Sequence, residues 1–262
     1  VCDGEPLTLT GTGAGSSGSY SWTPGISNGA PFTPTSNGIY TVTGIDVNGC
    51  SNAASTVVII NTPPTIVGGA DKPVVCADET VTLSGSGAGT GGSYSWSGGI
   101  SNGVSFTPTV TTTYTLTGTD ANGCTGTDQV TVTVNAIPSA PTVDPSNTTQ
   151  YCLGATASSM SAVSISGYTL KWYDNADNLL ATGSTGPVPS TVASGSTTYK
   201  VTQTNGTTLC ESSALLVTVT VNALPSISVV GGASQTVCDG SSITLNGDGG
   251  VSYSWSGVDV SL

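Results

Sequence analysis

The sequence is poor in positive charge and has no histidine, while lysine and arginine together number only three among 262 residues. The net charge is −12 at pH 7. Nucleic acids and anionic membranes are bound through basic surfaces, so this composition excludes the first as a partner and disfavours the second. Without histidine, the chain also lacks the usual base of a serine or cysteine hydrolase.

Long apolar runs and helix-forming stretches are missing as well. No run of about 18 apolar residues occurs, so we expect no membrane insertion by this segment. Thr, Val, Ser and 36 Gly dominate the chain, which favours short strands and tight turns over helices. The chain has no signal peptide and begins within a repeated pattern, so we expect a mature fragment or one part of a longer protein.

An internal repeat organises what is present. The phrase "YTVTGIDVNGC" (40–50) returns as "YTLTGTDANGC" (114–124). Cys2 and Cys50 are 48 positions apart, as are Cys76 and Cys124, whereas Cys152 and Cys210 are 58 apart. Tryptophan and tyrosine recur at nearly constant distances from these cysteines, at Trp22, Trp96, Trp172 and Trp255 and at Tyr40, Tyr114 and Tyr199. Their fixed phase predicts that all seven are core residues.

Proline-bearing joints divide the repeats. "NTPP" (61–64), "NAIP" (135–138) and "NALP" (222–225) each follow a β-rich run, which must end there because proline cannot donate to a ladder. We predict boundaries near 62, 137 and 224. The domains are then repeat 1 (1–62), repeat 2 (63–137), a divergent repeat 3 (138–224) and a partial repeat 4 (225–262).

Each repeat is predicted to be all-β. In repeat 2, strands are expected at "TVTLSG" (80–85), "SYSW" (93–96), "YTLTGTD" (114–120) and "DQVTVTV" (128–134). About seven short strands separated by turn signals predict an immunoglobulin-like β-sandwich, and several in series predict an elongated array. Repeat 1 is expected to lack its first strand. Repeat 4 is expected to have strands at "ISVVGG" (227–232), "SITLNG" (242–247) and "SYSW" (252–255) and to lack the rest.

The pattern "VCDGEPLTLTG…SYSWTPG…YTVTGIDVNGC" resembles the tandem Ig-like and PKD-like repeats of large Bacteroidetes-type surface adhesins, including gliding-motility adhesins. "LKWYDNADNLLATG" in repeat 3 is similar to another Ig-like module of these proteins. The resemblance covers nearly the whole chain and implies type IX secretion and cell-surface or extracellular display. "SWTPG" and "SWSGG" replace the acidic motif of PKD domains, which favours an Ig-like over a PKD fold.

The cysteines are predicted to form disulfides, because they recur in pairs in a chain expected to be exported. Pairing within each repeat would give Cys2–Cys50, Cys76–Cys124 and Cys152–Cys210, with Cys238 awaiting a partner beyond Leu262. This is the favoured prediction, since every complete repeat carries its own pair. The two cysteines of a repeat, however, are expected at opposite ends of the sandwich. The alternative therefore joins neighbouring repeats, as Cys2–Cys124 and Cys76–Cys210.

Three motifs could carry chemistry, but each has a simpler explanation. "GISNG" (25–29 and 99–103) matches a nucleophile elbow, and "GAGSSG" (13–18) and "GAGTGG" (87–92) match a dinucleotide fingerprint. Both motifs require a following helix, which is not predicted here, so turns and loops are the better interpretation. The carboxylates of Asp78 and Glu79 could in principle act as an acid–base pair. Adjacent residues of a strand point to opposite faces, which weakens this interpretation.

Calcium is the one metal that the residues suggest. Oxygen ligands on loops suit Ca²⁺, and four carboxylates at turns are weak candidates: Asp46, Asp120, Asp174 and Asp177. No complete calcium-loop motif is present, so we expect no cofactor.

The predicted function is that of a structural segment of a bacterial extracellular adhesin, stalk or filament, with no enzymatic activity. Its expected partners are neighbouring repeats or copies of itself in a fibre, and surface glycans. Two alternatives stay open. One is a glycan- or protein-binding module that uses the loops "SGAGTGG" and "GISNGVSF", and the other is an accessory region of a larger secreted hydrolase.

Overall fold

The computed structural model describes residues 1–231, 234–238 and 240–257. The chain divides into two compact units, Val1–Ala136 and Ile137–Leu262. Within the described ranges the regular structure is β, apart from one 3₁₀ turn at Ser97–Gly99. No helix in that part of the chain is long and apolar enough to span a bilayer. The prediction of tandem all-β, Ig-like sandwiches is confirmed.

Repeat 1 forms two small sheets in the first unit. Strands β1 and β3 pair antiparallel, and β2–β4–β5 form the second sheet. Cys2 pairs in parallel with Asn61, which extends the second sheet by one bridge. The strand bounds are Leu7–Thr8 (β1), Ser19–Thr23 (β2), Pro31–Phe32 (β3), Gly38–Ile45 (β4) and Ser51–Val58 (β5).

Repeat 2 is the more complete sandwich, with sheets in the order β10–β8–β6 and β7–β12–β11–β9. The predicted strands of this repeat are all present. The short β7 runs parallel to the end of β12, whereas the other pairs are antiparallel. The bounds are Val67–Ala70 (β6), Val74–Cys76 (β7), Val81–Ser86 (β8), Ser93–Trp96 (β9), Ser105–Phe106 (β10), Thr112–Thr119 (β11) and Thr125–Asn135 (β12).

Repeat 3, in the second unit, has the same plan with a larger second sheet. β13 pairs with β15, and the other sheet has the order β14–β19–β18–β16–β17. The bounds are Thr142–Val143 (β13), Gln150–Cys152 (β14), Ala162–Val163 (β15), Tyr168–Tyr173 (β16), Leu179–Thr182 (β17), Gly195–Asn205 (β18) and Leu215–Asn222 (β19).

The described part of repeat 4 contains one antiparallel pair, Ser228–Val230 (β20) with Asn246–Asp248 (β21). The strand predicted over 242–247 therefore begins only at Asn246, and residues 252–255 form no strand. Gly232, the last residue of the strand predicted over 227–232, lies outside the described residues. Trp255 is 52% exposed, so its prediction as a core residue was wrong, because no described strand packs over it.

The other predicted aromatic residues lie in the three cores. Trp96 and Tyr114 are buried in repeat 2, together with Ile66, Val81, Leu83 and Leu116. The core of repeat 3 surrounds the fully buried Trp172 and includes Tyr199. Repeat 1 buries only Trp22, Tyr40 and Val58.

Candidate functional site

The first cysteine of each complete repeat lies beside the end of that repeat's last long strand. Cys2 pairs with Asn61, Cys76 with Asn135 and Cys152 with Asn222, in each case through a short parallel segment. These three asparagines are the ones that open the proline-bearing joints. The first cysteine therefore faces the junction with the following repeat.

In repeats 1 and 2 the second cysteine follows an Asp-x-Asn-Gly turn at the opposite end of the sheet. Asp120 Oδ1 accepts hydrogen bonds from the backbone N–H of Asn122 (2.9 Å) and of Cys124 (2.8 Å). Asp46 does the same for Asn48 (2.9 Å) and Cys50 (2.8 Å). The glycine before each cysteine has φ near +85°, which favours glycine over any other residue. The repeated phrase thus presents a cysteine at a fixed place on a hairpin.

The preferred pairing within repeats was wrong. Cys124 immediately precedes β12, and Cys76 pairs with the last residue of that 11-residue strand. At about 3.3 Å per residue, the two cysteines of repeat 2 lie roughly 35 Å apart. A disulfide requires Cα atoms about 4.4–6.8 Å apart, so Cys2–Cys50 and Cys76–Cys124 cannot form. Cys152 is an exposed free thiol, which also contradicts Cys152–Cys210.

The structure instead joins repeats 1 and 2 through Cys2–Cys124, with a Cα–Cα distance of 5.5 Å. Backbone hydrogen bonds hold Cys2 at the joint, since Asn61 N–H donates to Val1 O (2.9 Å) and Asp3 N–H to Asn61 O (3.0 Å). Cys124 is fully buried, and its Sγ lies 3.8 Å from the Asn61 carbonyl oxygen. The bond therefore fastens the end of one sandwich to the hairpin of the next.

The remaining cysteines fall into two groups. Cys76 and Cys210 are disulfide-bonded, whereas Cys50, Cys152 and Cys238 are exposed free thiols. Cys50 follows an Asp-x-Asn-Gly turn equivalent to the one before Cys124, but its thiol is free.

The four calcium candidates are engaged in hydrogen bonds or an ion pair. Asp46 and Asp120 cap their hairpins as described, and the backbone N–H of Cys50 is the main cause that lowers the pKa of Asp46. Asp174 accepts from Asn178 Nδ2 (2.8 Å), which lowers its pKa. Asp177 binds Lys200 Nζ at 2.7 Å. The described residues contain no group of three or more His, Cys, Asp or Glu side chains placed to bind a metal ion.

The motifs that resembled catalytic signatures hold the sandwich together. In "GISNG", the asparagine carbonyl oxygen accepts the indole N–H of the core tryptophan: Trp22 to Asn28 at 3.0 Å, and Trp96 to Asn102 at 3.1 Å. Each Gly-rich loop is closed by a hydrogen bond to a tyrosine hydroxyl. The Tyr20 hydroxyl oxygen accepts from the Ala14 N–H, and the Tyr94 hydroxyl oxygen accepts from the Ala88 N–H.

Sequence reasoning missed these two asparagines, although a signal was present. Asn28 and Asn102 each lie six residues after their tryptophan, and the same oxygens accept the N–H of Gly11 (2.6 Å) and Gly85 (2.7 Å). One side chain therefore satisfies a buried indole and a strand backbone together. The same Trp-to-Asn spacing in both repeats is the sequence signal that indicates this hydrogen bond.

Repeat 3 contains a polar cluster that the sequence did not reveal. Glu211 accepts hydrogen bonds from Lys171 Nζ (2.8 Å), Tyr173 Oη (3.0 Å) and Thr202 Oγ1 (2.5 Å). Partial burial opposes ionisation, but these three donors outweigh it and lower the pKa of Glu211 below its usual 4.5. The hydrogen bond to Glu211 in turn raises the pKa of Lys171.

Comparison with known proteins supports the fold. The family model of CHU_C-associated Ig-like domains matches residues 138–223, which is repeat 3. Among curated proteins, none matches the chain.

Several solved structures are similar at low identity. A Ca²⁺-stabilised adhesin of an ice-binding Antarctic bacterium is 16% identical over 86% of this chain and 70% of its own, with a TM-score of 0.36. The titin I-band fragment I67–I69 is 13% identical over 85% of this chain and 94% of its own, with a TM-score of 0.31. Murine CEACAM1b is 16% identical over 60% of this chain and 100% of its own, also with a TM-score of 0.31. At these values we draw no conclusion about function from the similarity.

Proposed function

We propose that the chain is a structural segment of a bacterial extracellular adhesin, stalk or filament, in which a disulfide ties Ig-like repeat 1 to repeat 2. The observation that carries this proposal is the Cys2–Cys124 bond between repeats 1 and 2. A bond within a domain would strengthen that domain alone. A bond between domains also fixes their junction, so that an array of such domains resists stretching at that junction.

The partners proposed for the whole segment are neighbouring repeats or copies in a fibre, and surface glycans. Export by the type IX route, a role in gliding motility and a non-enzymatic role all rest on the resemblance to Bacteroidetes-type surface adhesins.

Single-molecule stretching tests whether this bond carries force between the two repeats. The Cys2–Cys124 bond bridges a sequence separation of 122, so stretching force bypasses the intervening chain. In a Cys76→Ser/Cys210→Ser background, which isolates this bond, Cys2→Ser should lengthen the fully extended chain by about 400 Å, at roughly 3.3–3.6 Å per residue. Cys50→Ser in the same background is the matched control and should leave the length unchanged. Equal lengths with and without Cys2 would refute the proposal.

A further inference from the structure

Asn-Gly is the dipeptide in which asparagine is chemically least stable, and the first unit contains five of them. They lie at Asn28, Asn37, Asn48, Asn102 and Asn122. The glycine that follows has no Cβ to hinder its backbone nitrogen, which can attack the side-chain carbonyl carbon of the asparagine. Whether it does so depends on how firmly the folded protein holds that side chain. The five side chains differ in this respect.

Three of the five side chains are held by hydrogen bonds. The Oδ1 atoms of Asn28 and Asn102 each accept the N–H of a core tryptophan and that of a strand glycine, at distances of 2.6–3.1 Å. Asn37 Oδ1 accepts the Ile60 N–H at 2.7 Å. Attack by the glycine nitrogen requires the amide to rotate out of these contacts. The three side chains are therefore protected as long as the sandwich stays closed.

The other two side chains, those of Asn48 and Asn122, lie in the exposed turns that precede the second cysteines of repeats 1 and 2. Asn48 Nδ2 makes one long hydrogen bond to Asp46 Oδ2, at 3.5 Å. No described residue bonds the side-chain amide of Asn122, whose backbone N–H binds Asp120. These two amides can therefore rotate toward the following glycine without breaking a contact of the core.

The attacking nitrogen does not distinguish the two groups. Gly103 N–H donates to Leu83 O at 2.8 Å, and Gly123 N–H donates to Asp120 O at 3.1 Å. Each of these bonds must open before the nitrogen can react. The difference in reactivity therefore comes from the contacts of the asparagine side chain.

We propose that Asn48 and Asn122 are modification sites at which this chain deamidates, and that conversion of Asn122 loosens the hairpin of Cys124. Asp120 Oδ1 accepts the N–H of both Asn122 and Cys124. Isoaspartate at position 122 inserts one extra backbone atom between these two N–H groups and adds a second carboxylate to the turn. Both changes oppose the two hydrogen bonds, since like charges this close repel each other. The modification is independent of the structural role proposed above.

The reaction needs only water and a base that takes up one proton. The Gly123 nitrogen loses its proton and attacks Asn122 Cγ, so that a C–N bond forms. The side-chain nitrogen takes up a proton and leaves as ammonia, and the product is a five-membered succinimide. Water then opens the ring, at Cγ to give aspartate or at the backbone carbonyl carbon to give isoaspartate. Asparagine and water thus become a carboxylic acid and ammonia, with no change in oxidation state.

The experiment incubates the folded 262-residue chain in mildly alkaline buffer and maps deamidation by mass spectrometry of its peptides. An isoaspartyl methyltransferase labels the isoaspartate in the same peptides. We expect Asn48 and Asn122 to convert at least roughly tenfold faster than Asn28, Asn37 and Asn102, because the latter three react only after local opening. The reduced and alkylated chain in urea is the control, since the five rates should converge there.

A second measurement follows the hairpin itself. Chains with isoaspartate at position 122 are separated by anion exchange, and hydrogen exchange of the Cys124 N–H is compared with that of the unmodified chain. This N–H should exchange several-fold faster after modification, because it loses its bond to Asp120 Oδ1. Asn122→Gln is the matched variant, since glutamine keeps the amide but would have to close a six-membered ring, which forms far more slowly. Its Cys124 N–H should exchange at the same rate before and after incubation.

Equal rates at Asn102 and Asn122 in the folded chain would overturn the proposal, because the side-chain contacts would then give no protection. An intact Asn122 in the folded chain, at a time when the same residue has fully converted in urea, would overturn it equally. Unchanged exchange of the Cys124 N–H in the modified chain would refute the loosening of the hairpin.

Discussion

At the residue scale, a few short polar side chains determine how each sandwich closes. Asn102 illustrates this, because its oxygen accepts both the indole N–H of the buried Trp96 and the N–H of Gly85. Asp120 performs a similar double role at the hairpin that carries Cys124. Each of these two side-chain oxygens accepts hydrogen bonds from two N–H groups at once.

We predict that Asn102→Ala destabilises repeat 2 by about 1–3 kcal/mol, because it leaves a buried indole N–H without an acceptor. The neighbouring Ser101→Ala is the matched control, since Ser101 is exposed and its contribution to the turn is its backbone carbonyl. It should change stability by less than about 0.5 kcal/mol. Urea unfolding followed by hydrogen exchange of β9 and β11 measures both. Equal losses in the two variants would contradict the role of Asn102.

At the element scale, cross-strand side chains hold the sheet of repeat 3. Glu211 bridges to β18 through Thr202 and to β16 through Lys171 and Tyr173. The Lys171–Glu211 pair is about one-third exposed, so the charge pair alone contributes little. The stabilisation comes from one carboxylate that accepts three hydrogen bonds across two strands.

This cluster makes repeat 3 sensitive to acid. The folded-state pKa of Glu211 is lowered, so its stabilisation is present above the unfolded pKa near 4.5 and is lost as pH falls through the folded pKa. We predict that Glu211→Gln costs about 1 kcal/mol at pH 7 and that the difference from the wild type disappears as the pH falls through the folded-state pKa. Hydrogen exchange of β16 and β18 at pH 7 and at a second, acidic pH measures it. The exposed Glu5→Gln is the control, and an equal effect at both pH values would contradict the prediction.

At the scale of the whole molecule, the disulfide of Cys2 joins repeats 1 and 2. Only three residues form the buried core of repeat 1. A small sandwich buries too little apolar surface to be robust alone. The disulfide to repeat 2 therefore adds stability to a repeat whose own buried core is small.

We predict that Cys2→Ser lowers the free energy of unfolding of the first unit by up to about 5 kcal/mol, the chain-entropy value for a closed loop this long. Cys50→Ser, which removes an exposed free thiol of the same repeat, should have little effect. Calorimetry of the two variants gives the comparison. A loss in Cys50→Ser as large as that in Cys2→Ser would show that the bond between repeats is not the stabilising element.

The sequence by itself determined the fold class, the order of strands and the burial of Trp22, Trp96 and Trp172. These follow from period-two patterns, turn residues and repeat phase, which are local properties of the chain. It also placed the two cysteines of a repeat at opposite ends of the sandwich. It did not decide their partners, because a repeat of constant spacing is satisfied equally by pairs within and between domains.

Only the tertiary structure decided that question. Cys76 pairs with Asn135 at the far end of β12 from Cys124, so the length of one strand separates the two cysteines of a repeat. The junction, in contrast, brings Cys2 and Cys124 within bonding distance. The same structure showed that the asparagines of "GISNG" accept the indole N–H of the core tryptophans. This contact depends on which residues meet in the folded sandwich, which spacing along the chain does not specify.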